Sequence, residues 1–474
     1  MPILWVSFSK YSNSKSKYSN IFQIFLNTCS FFPYSLSLQS EGYYDKKTMA
    51  KIDTLCVHAG YSPKKGEPRQ LPIIQSTTFK YETSDQMGRL FDLEETGYFY
   101  TRLQNPTVDA VAAQICALEG GVGAILTSSG QAANLFACLN IAGAGDHIVA
   151  ANNIYGGTFN LLGVTLAKFG IEVSFIKADA PDSEIQAAIR PNTKLIFGET
   201  LSNPGVEVLD IARWAAVAHK NGLPLVIDNT FATPVLCRPF EWGADIVTHS
   251  TTKYIDGHGT SVGGAVVDSG NFPWEEYADK YPGLTTPDAS YHGLTYTKKF
   301  GKAAFITKAV THLMRDLGST QSPQNAFYLH LGLQTLHLRM PRHSSSALTV
   351  ARWLENCPDV AWVHYPGLES DPHHNLALKY LPNGCSGVLC FGLKGGRAFD
   401  NRFLDALKLT TIETHVADCH TCVLHPASHT HRQLSDEQLK AAGIAPDIIR
   451  FSVGLEAPED IIADLEQALK TAKA

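Results

Sequence analysis

A chain of 474 residues is long enough to bury more than one hydrophobic core, so two or three domains are expected. With 44% hydrophobic and 18% charged residues and 37 glycines, it is neither disordered nor fibrous. A formal net charge of −6 and no Lys/Arg-dense stripe leave no basic field for a nucleic-acid backbone.

Residues 1–48 are rich in Ser, Tyr and Phe, contain no Arg, and have no acidic residue before Glu41. They are expected to be a disordered extension ahead of Met49, either a targeting segment or the product of an upstream start. Their apolar stretch 21–26 is too short to span a bilayer, and no membrane segment is expected. Ten cysteines lie scattered, mostly in apolar surroundings, which suits a reducing, cytoplasmic compartment.

From Gly123 onward, short apolar runs alternate with segments of helical period. Strands are predicted at 124–128, 147–151, 172–177, 195–199, 225–228 and 246–249, and helices at 131–141, 158–169, 182–190 and 211–220. That order predicts an α/β fold, a mainly parallel sheet wrapped by helices. Residues 269–300, loaded with Gly, Pro, Tyr and Trp, read as an irregular insertion. Beyond 326 the texture changes to a helix at 327–340 and a smaller α+β region that ends in an amphipathic helix at 458–472. The expected division is a segment 49–106, a large domain 107–325 and a C-terminal domain 326–474.

Ligands of open α/β sheets sit beyond the carboxyl ends of the strands. Here those ends carry Ser128-Ser129-Gly130, Asn152-Asn153-Ile154-Tyr155-Gly156, Ser202-Asn203-Pro204, Asp228 and Ser250-Thr251-Thr252-Lys253. An unpaired Asp228 at the end of an apolar strand would cost several kcal/mol, so it calls for a cationic partner. A protonated pyridine nitrogen is such a partner, and keeping it protonated makes the ring an electron sink. Lys253 is the candidate imine-forming amine, a role that requires it to be close to neutral. The segment from Ser128 to Ala133 runs from strand into helix, so its free amides are suited to cradle a phosphate, helped by the helix dipole. Ser250 and Thr252 add hydroxyls. Tyr155, followed by Gly156-Gly157, is suited to stack on a flat ring, and its phenol to move protons.

With Tyr100-Thr101-Arg102, Asn105-Pro106-Thr107 and Arg450-Phe451-Ser452-Val453-Gly454-Leu455-Glu456, these motifs resemble the Cys/Met-metabolism family of pyridoxal-phosphate enzymes over about residues 50–474. The resemblance implies a fold-type I transferase with pyridoxal 5'-phosphate on Lys253 and its ring nitrogen on Asp228. It further implies phosphate contacts from Gly130, Gln131, Ser250 and Thr252, ring stacking by Tyr155, and a ring-hydroxyl contact from Asn203. Tyr100 and Arg102 would reach a neighbouring subunit's phosphate, making 49–106 an exchanged arm and the protein a homodimer at minimum, expected as a homotetramer. Arg450 would grip the substrate α-carboxylate with Thr421 beside it, while Lys253 and Tyr155 would be the catalytic pair.

The insertion around Phe272-Pro273-Trp274 and the phrase His425-Pro426-Ala427-Ser428 look most like the family's O-acetylhomoserine sulfhydrylases. The reaction so implied is γ-replacement: loss of a Cα and then a Cβ proton, expulsion of acetate, and addition of sulfide or methanethiol at Cγ. The alternative within the family is a γ-lyase or γ-synthase acting on methionine, homocysteine or cystathionine. Two features depart from the pattern: Thr421 stands where a serine is common, and His429 interrupts Ser428-His429-Thr430-His431.

A different class of reading starts from Cys419-His420-Thr421-Cys422, a C-x-x-C with His415, His425, His429 and His431 nearby, as a zinc or redox site. The run alternates as a strand does and lacks a second ligand pair at defined spacing, so core packing is the expectation and no metal is assigned. Gly143-Ala144-Gly145-Asp146 lacks the third glycine of a dinucleotide fingerprint and reads as a turn.

Overall fold

The computed structural model describes residues 50–429, 432, 437 and 445–473. The extension expected at 1–48, and His431 of the metal reading, lie outside the described residues. Seven strands form the larger sheet: β1 (Gly123–Thr127), β2 (His147–Ala151), β3 (Glu172–Ile176), β4 (Thr193–Glu199), β5 (Leu225–Asp228), β6 (Ile246–His249) and β7 (Gly264–Asp268). Their order is β1-β7-β6-β5-β4-β2-β3. Strands β2 to β6 pair in parallel, and β7 runs antiparallel to both β1 and β6.

Every residue of β2, β5, β6 and β7 is buried, as a sheet covered by helices on both faces requires. The predicted strands appear within two residues of their places. Strand β7 was not predicted, because it offers only Ala265, Val266 and Val267 between a glycine and an aspartate. The helix predicted at 158–169 is divided into an α turn (Gly156–Asn160), a π turn (Leu161–Thr165) and a 3-10 turn (Leu166–Phe169). Gly163 sits in the π turn, where helix propensity is weakest.

Four helices matter for the site: α1 (Pro106–Glu119), α2 (Gly130–Leu139), α3 (Pro323–Glu355) and α4 (Pro458–Lys473). The sequence reading stopped α3 at residue 340 because Pro341 removes a backbone donor, a cost of about 3 kcal/mol in a helix interior. The helix runs on through it to Glu355, 33 residues in all. Met340, His343, Ser344 and Ala347 are buried on either side of the proline, and that packing outweighs the lost bond. Among the described residues no helix is long and apolar enough to cross a membrane.

A second sheet holds β8 (Val360–His364), β9 (Val388–Leu393), β10 (Thr411–Ile412), β11 (Cys422–Leu424) and β12 (Ile449–Ser452), ordered β10-β11-β12-β9-β8. Strand β12 is central, with Arg450 opposite Leu424 on one side and Cys390 on the other. The turn after β6 is tied to this second layer. The phenol of the fully buried Tyr254 accepts from Gly387 N at 2.9 Å and from Ser386 Oγ at 3.3 Å. Arg339 of α3 donates to the carbonyls of Tyr254 and Gly332, each at 2.8 Å. Lys253 is therefore held from both layers.

The aromatic insertion packs elsewhere. Phe272, Trp274 and Tyr281 form one cluster, and the Tyr281 phenol bonds the carbonyls of Lys194 and Gly222, where β4 and β5 begin. This is the end of the sheet opposite the predicted polar edge, so these aromatics do not build the cleft.

Below the carboxyl ends lies a buried polar knot. Glu119 Oε1, at the end of α1, accepts from Asn229 Nδ2 at 2.9 Å and meets His249 Nε2 at 2.7 Å. These neighbours directly follow β5 and end β6, so the knot fixes where Asp228 and Ser250 emerge. Glu119→Ala would leave the buried His249 ring without a partner and take one of the bonds of Asn229, which keeps Cys237 and Thr200, and is expected to cost about 3 kcal/mol. Thermal unfolding of the cofactor-loaded protein should show a clearly lowered midpoint; an unchanged one would mean the knot does not hold the strand ends.

Candidate active site

A cleft of about 210 Å³ opens where β4, β5 and β6 end, and Gly130, Gln131, Tyr155, Asn203, Asp228, Ser250, Thr252, Lys253 and Arg450 all line it. At its floor Asp228 is 9% exposed. Its Oδ1 accepts from Thr230 N at 3.1 Å and Thr230 Oγ1 at 2.5 Å, and its Oδ2 from Asn134 Nδ2 at 3.2 Å. These neutral donors orient the carboxylate, and among the described residues no Lys, Arg or His is ion-paired with it. The cationic partner that the sequence called for is not supplied by the described part of the chain.

Glu199 ends β4 directly beside Asp228 in the parallel register. Burial, and then the charge of Asp228, push its carboxyl well above the usual range, which favours the protonated form. It accepts from Tyr155 N at 2.8 Å and so sets where the tyrosine leaves the strand. Tyr155 is half exposed with its ring folded toward Gly157, where a Cβ would lie 2.5 Å from the ring edge. Glycine at 157 is what lets the ring take that position.

Helix α2 begins at the cleft. Ser129 caps it by accepting from Ala132 N at 3.1 Å, and the N–H groups of Gly130 and Gln131 precede any helical acceptor. A Cβ on Gly130 would sit 2.6 Å from Ser250 Cβ, so only glycine lets the helix start close on the 250–253 turn. Ser250 N donates to Thr230 Oγ1 at 2.8 Å, which links the anion seat to Asp228. Thr252 Oγ1 is braced by Gly263, accepting from its N–H at 3.0 Å.

Lys253 is pushed down to about 8, first by burial and then by the Arg450 charge. At pH 7 roughly a tenth is then neutral amine, far more than for an ordinary lysine, and attack on an aldehyde requires that form. Its Nζ lies 3.3 Å from His415 Nδ1. Arg450 is 6% exposed and donates to Asn203 Oδ1 at 3.1 Å and to the carbonyls of Thr414 and His415 at 3.3 and 3.2 Å. Burial lowers its pKa, and it forms no ion pair with a carboxylate among the described residues.

Two groups of expected residues lie outside the cleft. Tyr100 and Arg102 do not line it; Tyr100 is exposed, with the Arg102 guanidinium 5.4 Å from its ring centre. Thr421 does not face it either, which corrects the expectation of a direct substrate contact. Its buried hydroxyl donates to Glu456 Oε2 at 2.8 Å and accepts from Gly454 N at 2.9 Å, so it braces the turn that follows Arg450.

The zinc and redox reading finds only part of its ligand set together among the described residues. The ligand atoms of Asp418, Cys419 and His420 gather within 4.8 Å, but Cys422 and His425 are not part of that group. Cys422 Sγ donates to the His415 carbonyl at 3.3 Å, and burial pushes its thiol up to about 12, away from the thiolate that metals and redox partners need. His425 Nδ1 is bonded to Ser428 Oγ at 2.8 Å.

The sequence reading missed Glu199, Asn134 and His415. Glu199 was legible as a second carboxylate at the same strand-end edge, and Asn134 as the residue one helical turn beyond Gln131. His415 stood out only as a neighbour of the C-x-x-C, and nothing local tied it to Lys253.

The donor set fits pyridoxal 5'-phosphate: an acid lacking a protein cation, a near-neutral lysine, free helix amides beside hydroxyls, and an aromatic ring over the same space. Comparison with known proteins agrees. Residues 53–470 match the family described as Cys/Met metabolism PLP-dependent enzyme. The chain is 46% identical over 423 residues to a homocysteine synthase of Schizosaccharomyces pombe, covering 89% of this chain and 98% of that one. It is 44% identical over 421 residues to O-acetyl-L-homoserine sulfhydrylase 1 of Thermus thermophilus, covering 88% and 100%. A crystal structure of a putative O-acetylhomoserine (thiol)-lyase from Campylobacter jejuni, solved with a pyridoxyl-lysine 5'-monophosphate, superposes with a TM-score of 0.85 at 39% identity, covering 89% and 100%. The chain thus belongs to the Cys/Met-metabolism family of pyridoxal-phosphate-dependent enzymes.

Proposed function

We propose that this enzyme replaces the acetate of O-acetyl-L-homoserine with sulfide to give L-homocysteine, or with methanethiol to give methionine. The observation that carries the reading is Arg450: a buried guanidinium without a carboxylate partner among the described residues, opening on the same cleft as Lys253 and Asp228. It is suited to take an amino acid's α-carboxylate by its fork and to exclude amines that lack one. The relatives named as sulfhydrylases and homocysteine synthases support the choice of substrate.

In this reading the bound cofactor supplies an electron sink for charge that develops at the substrate's carbon. Asp228 holds the proton on the ring nitrogen, with Thr230 and Asn134 fixing its oxygens. Gly130, Gln131, Ser250 and Thr252 would seat the phosphate, and Asn203, a lining residue of the same cleft, would meet the ring hydroxyl. Tyr155 covers one ring face against water and offers its phenol for proton transfer. Lys253 anchors the cofactor and then carries the Cα and Cβ protons.

Residues 107–325 would form the cofactor domain and 326–474 the domain that brings Arg450. Tyr100 and Arg102, exposed and away from this cleft, are assigned to a neighbouring subunit's phosphate, so the working unit is a homodimer and the expected assembly a homotetramer. All nine cysteines among the described residues are free, which suits the cytoplasm.

Purified enzyme given O-acetylhomoserine should release acetate with sulfide present and form homocysteine in equal amount. Formation of 2-oxobutyrate and ammonia from methionine or homocysteine at comparable rates would replace this reading with elimination. With Lys253 held down to about 8 instead of the ordinary 10.5, capture of the cofactor by the cofactor-free protein should quicken as pH rises through about 8, because the neutral amine is the reacting form. A rate still climbing toward pH 10.5 would show that burial and Arg450 do not tune this lysine.

A further inference from the structure

Replacement at a γ-carbon needs two C–H bonds of the substrate broken, at Cα and then at Cβ. A lysine that has taken the first proton is an ammonium and cannot take the second until it is discharged. A group placed for that discharge lies against the lysine. His415 enters from the segment between β10 and β11 and sets Nδ1 3.3 Å from Lys253 Nζ. Its other nitrogen, Nε2, lies 3.4 Å from Asp418 Oδ2. The pair does not reach hydrogen-bond geometry, but a negative charge on that side favours hydrogen on Nε2, and that tautomer leaves the Nδ1 lone pair facing the lysine.

The remaining contacts hold the backbone at His415 without competing for Nδ1. Arg450 at 3.2 Å and Cys422 Sγ at 3.3 Å both donate to the His415 backbone carbonyl. Asp418 is 8% exposed and is itself oriented by His420 N, which donates to its Oδ1 at 2.7 Å. The charged groups acting on the ring are Lys253, which together with burial lowers its pKa, and Asp418, Glu413 and Asp256, which raise it.

We propose that His415 accepts from Lys253 the proton taken at Cα, so that the same lysine is free to take the proton at Cβ. In this step one N–H bond of the Lys253 ammonium breaks and its electron pair stays on Nζ. A new N–H bond forms at His415 Nδ1, and the resulting imidazolium is stabilised by the charge of Asp418, 3.4 Å from Nε2. The step rests on the γ-replacement reading above, since a reaction confined to Cα needs no such discharge.

The test uses the full-length, cofactor-loaded enzyme and L-2-aminobutyrate, which has Cα and Cβ hydrogens but no leaving group. In deuterated water the unaltered enzyme should exchange both positions. His415→Asn should lower Cβ exchange by about 100-fold, within the range for loss of a positioned acid–base group, while Cα exchange falls far less. The cofactor absorbance should remain, which separates this outcome from a collapsed site. Equal loss at both carbons, or loss at neither, would overturn the proposal.

A second readout is independent of turnover. Nitrogen NMR of the histidine-labelled chain should show His415 with hydrogen on Nε2, and Lys253→Ala should raise its titration midpoint by removing a nearby positive charge. A Nδ1–H tautomer, or a midpoint unmoved by Lys253→Ala, would also overturn it. Failure of the γ-replacement reading itself would look different: the unaltered enzyme would exchange Cα alone.

Discussion

The site is organised around a carboxylate that the described part of the chain leaves without a counter-charge. Asp228 sits at the end of a fully buried strand, where an isolated ion costs several kcal/mol, yet its contacts are neutral donors from Thr230 and Asn134. Such an arrangement orients negative charge and leaves it available to a cation that arrives from outside. A protonated ring nitrogen meets that need, and burial beside Asp228 pushes the neighbouring carboxyl of Glu199 toward its protonated form, which disfavours a second negative charge at the same place.

The rest of the fold serves that pairing. The parallel sheet delivers Glu199, Asp228 and Ser250 to one edge because β4, β5 and β6 are adjacent and point the same way. The knot of Glu119, Asn229 and His249 ties these strand ends together from below. Helix α3 and the second sheet clamp Tyr254, so Lys253 is positioned by residues far away in sequence. The second sheet also brings Arg450 and His415 within reach of the lysine, and their shared contact at the His415 carbonyl makes substrate binding and proton handling neighbours.

Much of this was legible in the sequence because the chemistry-bearing residues end apolar strands. Asp228, Lys253, Ser128-Ser129-Gly130 and Tyr155 each follow a run whose period is clear, and the sheet aligns such ends without further information. What was not legible depends on tertiary contact. Pro341 signals a stop that buried packing overrides, and β7 is too short to announce itself. Thr421 has the residue type and the neighbourhood of a substrate contact, but which way its hydroxyl turns is decided by Glu456 and Gly454. His415 acquires its meaning only when β11 and β12 fold against the lysine turn.

The claim that Lys253 carries the cofactor can be tested against a real competitor, since Lys308 is also pushed down to about 8 by burial. The loaded enzyme would be reduced with borohydride, digested, and the pyridoxyl mass located by peptide sequencing. The account predicts the label on Lys253, beside the acid at Asp228 and the amides of α2. A label on Lys308, or spread over several lysines, would contradict it.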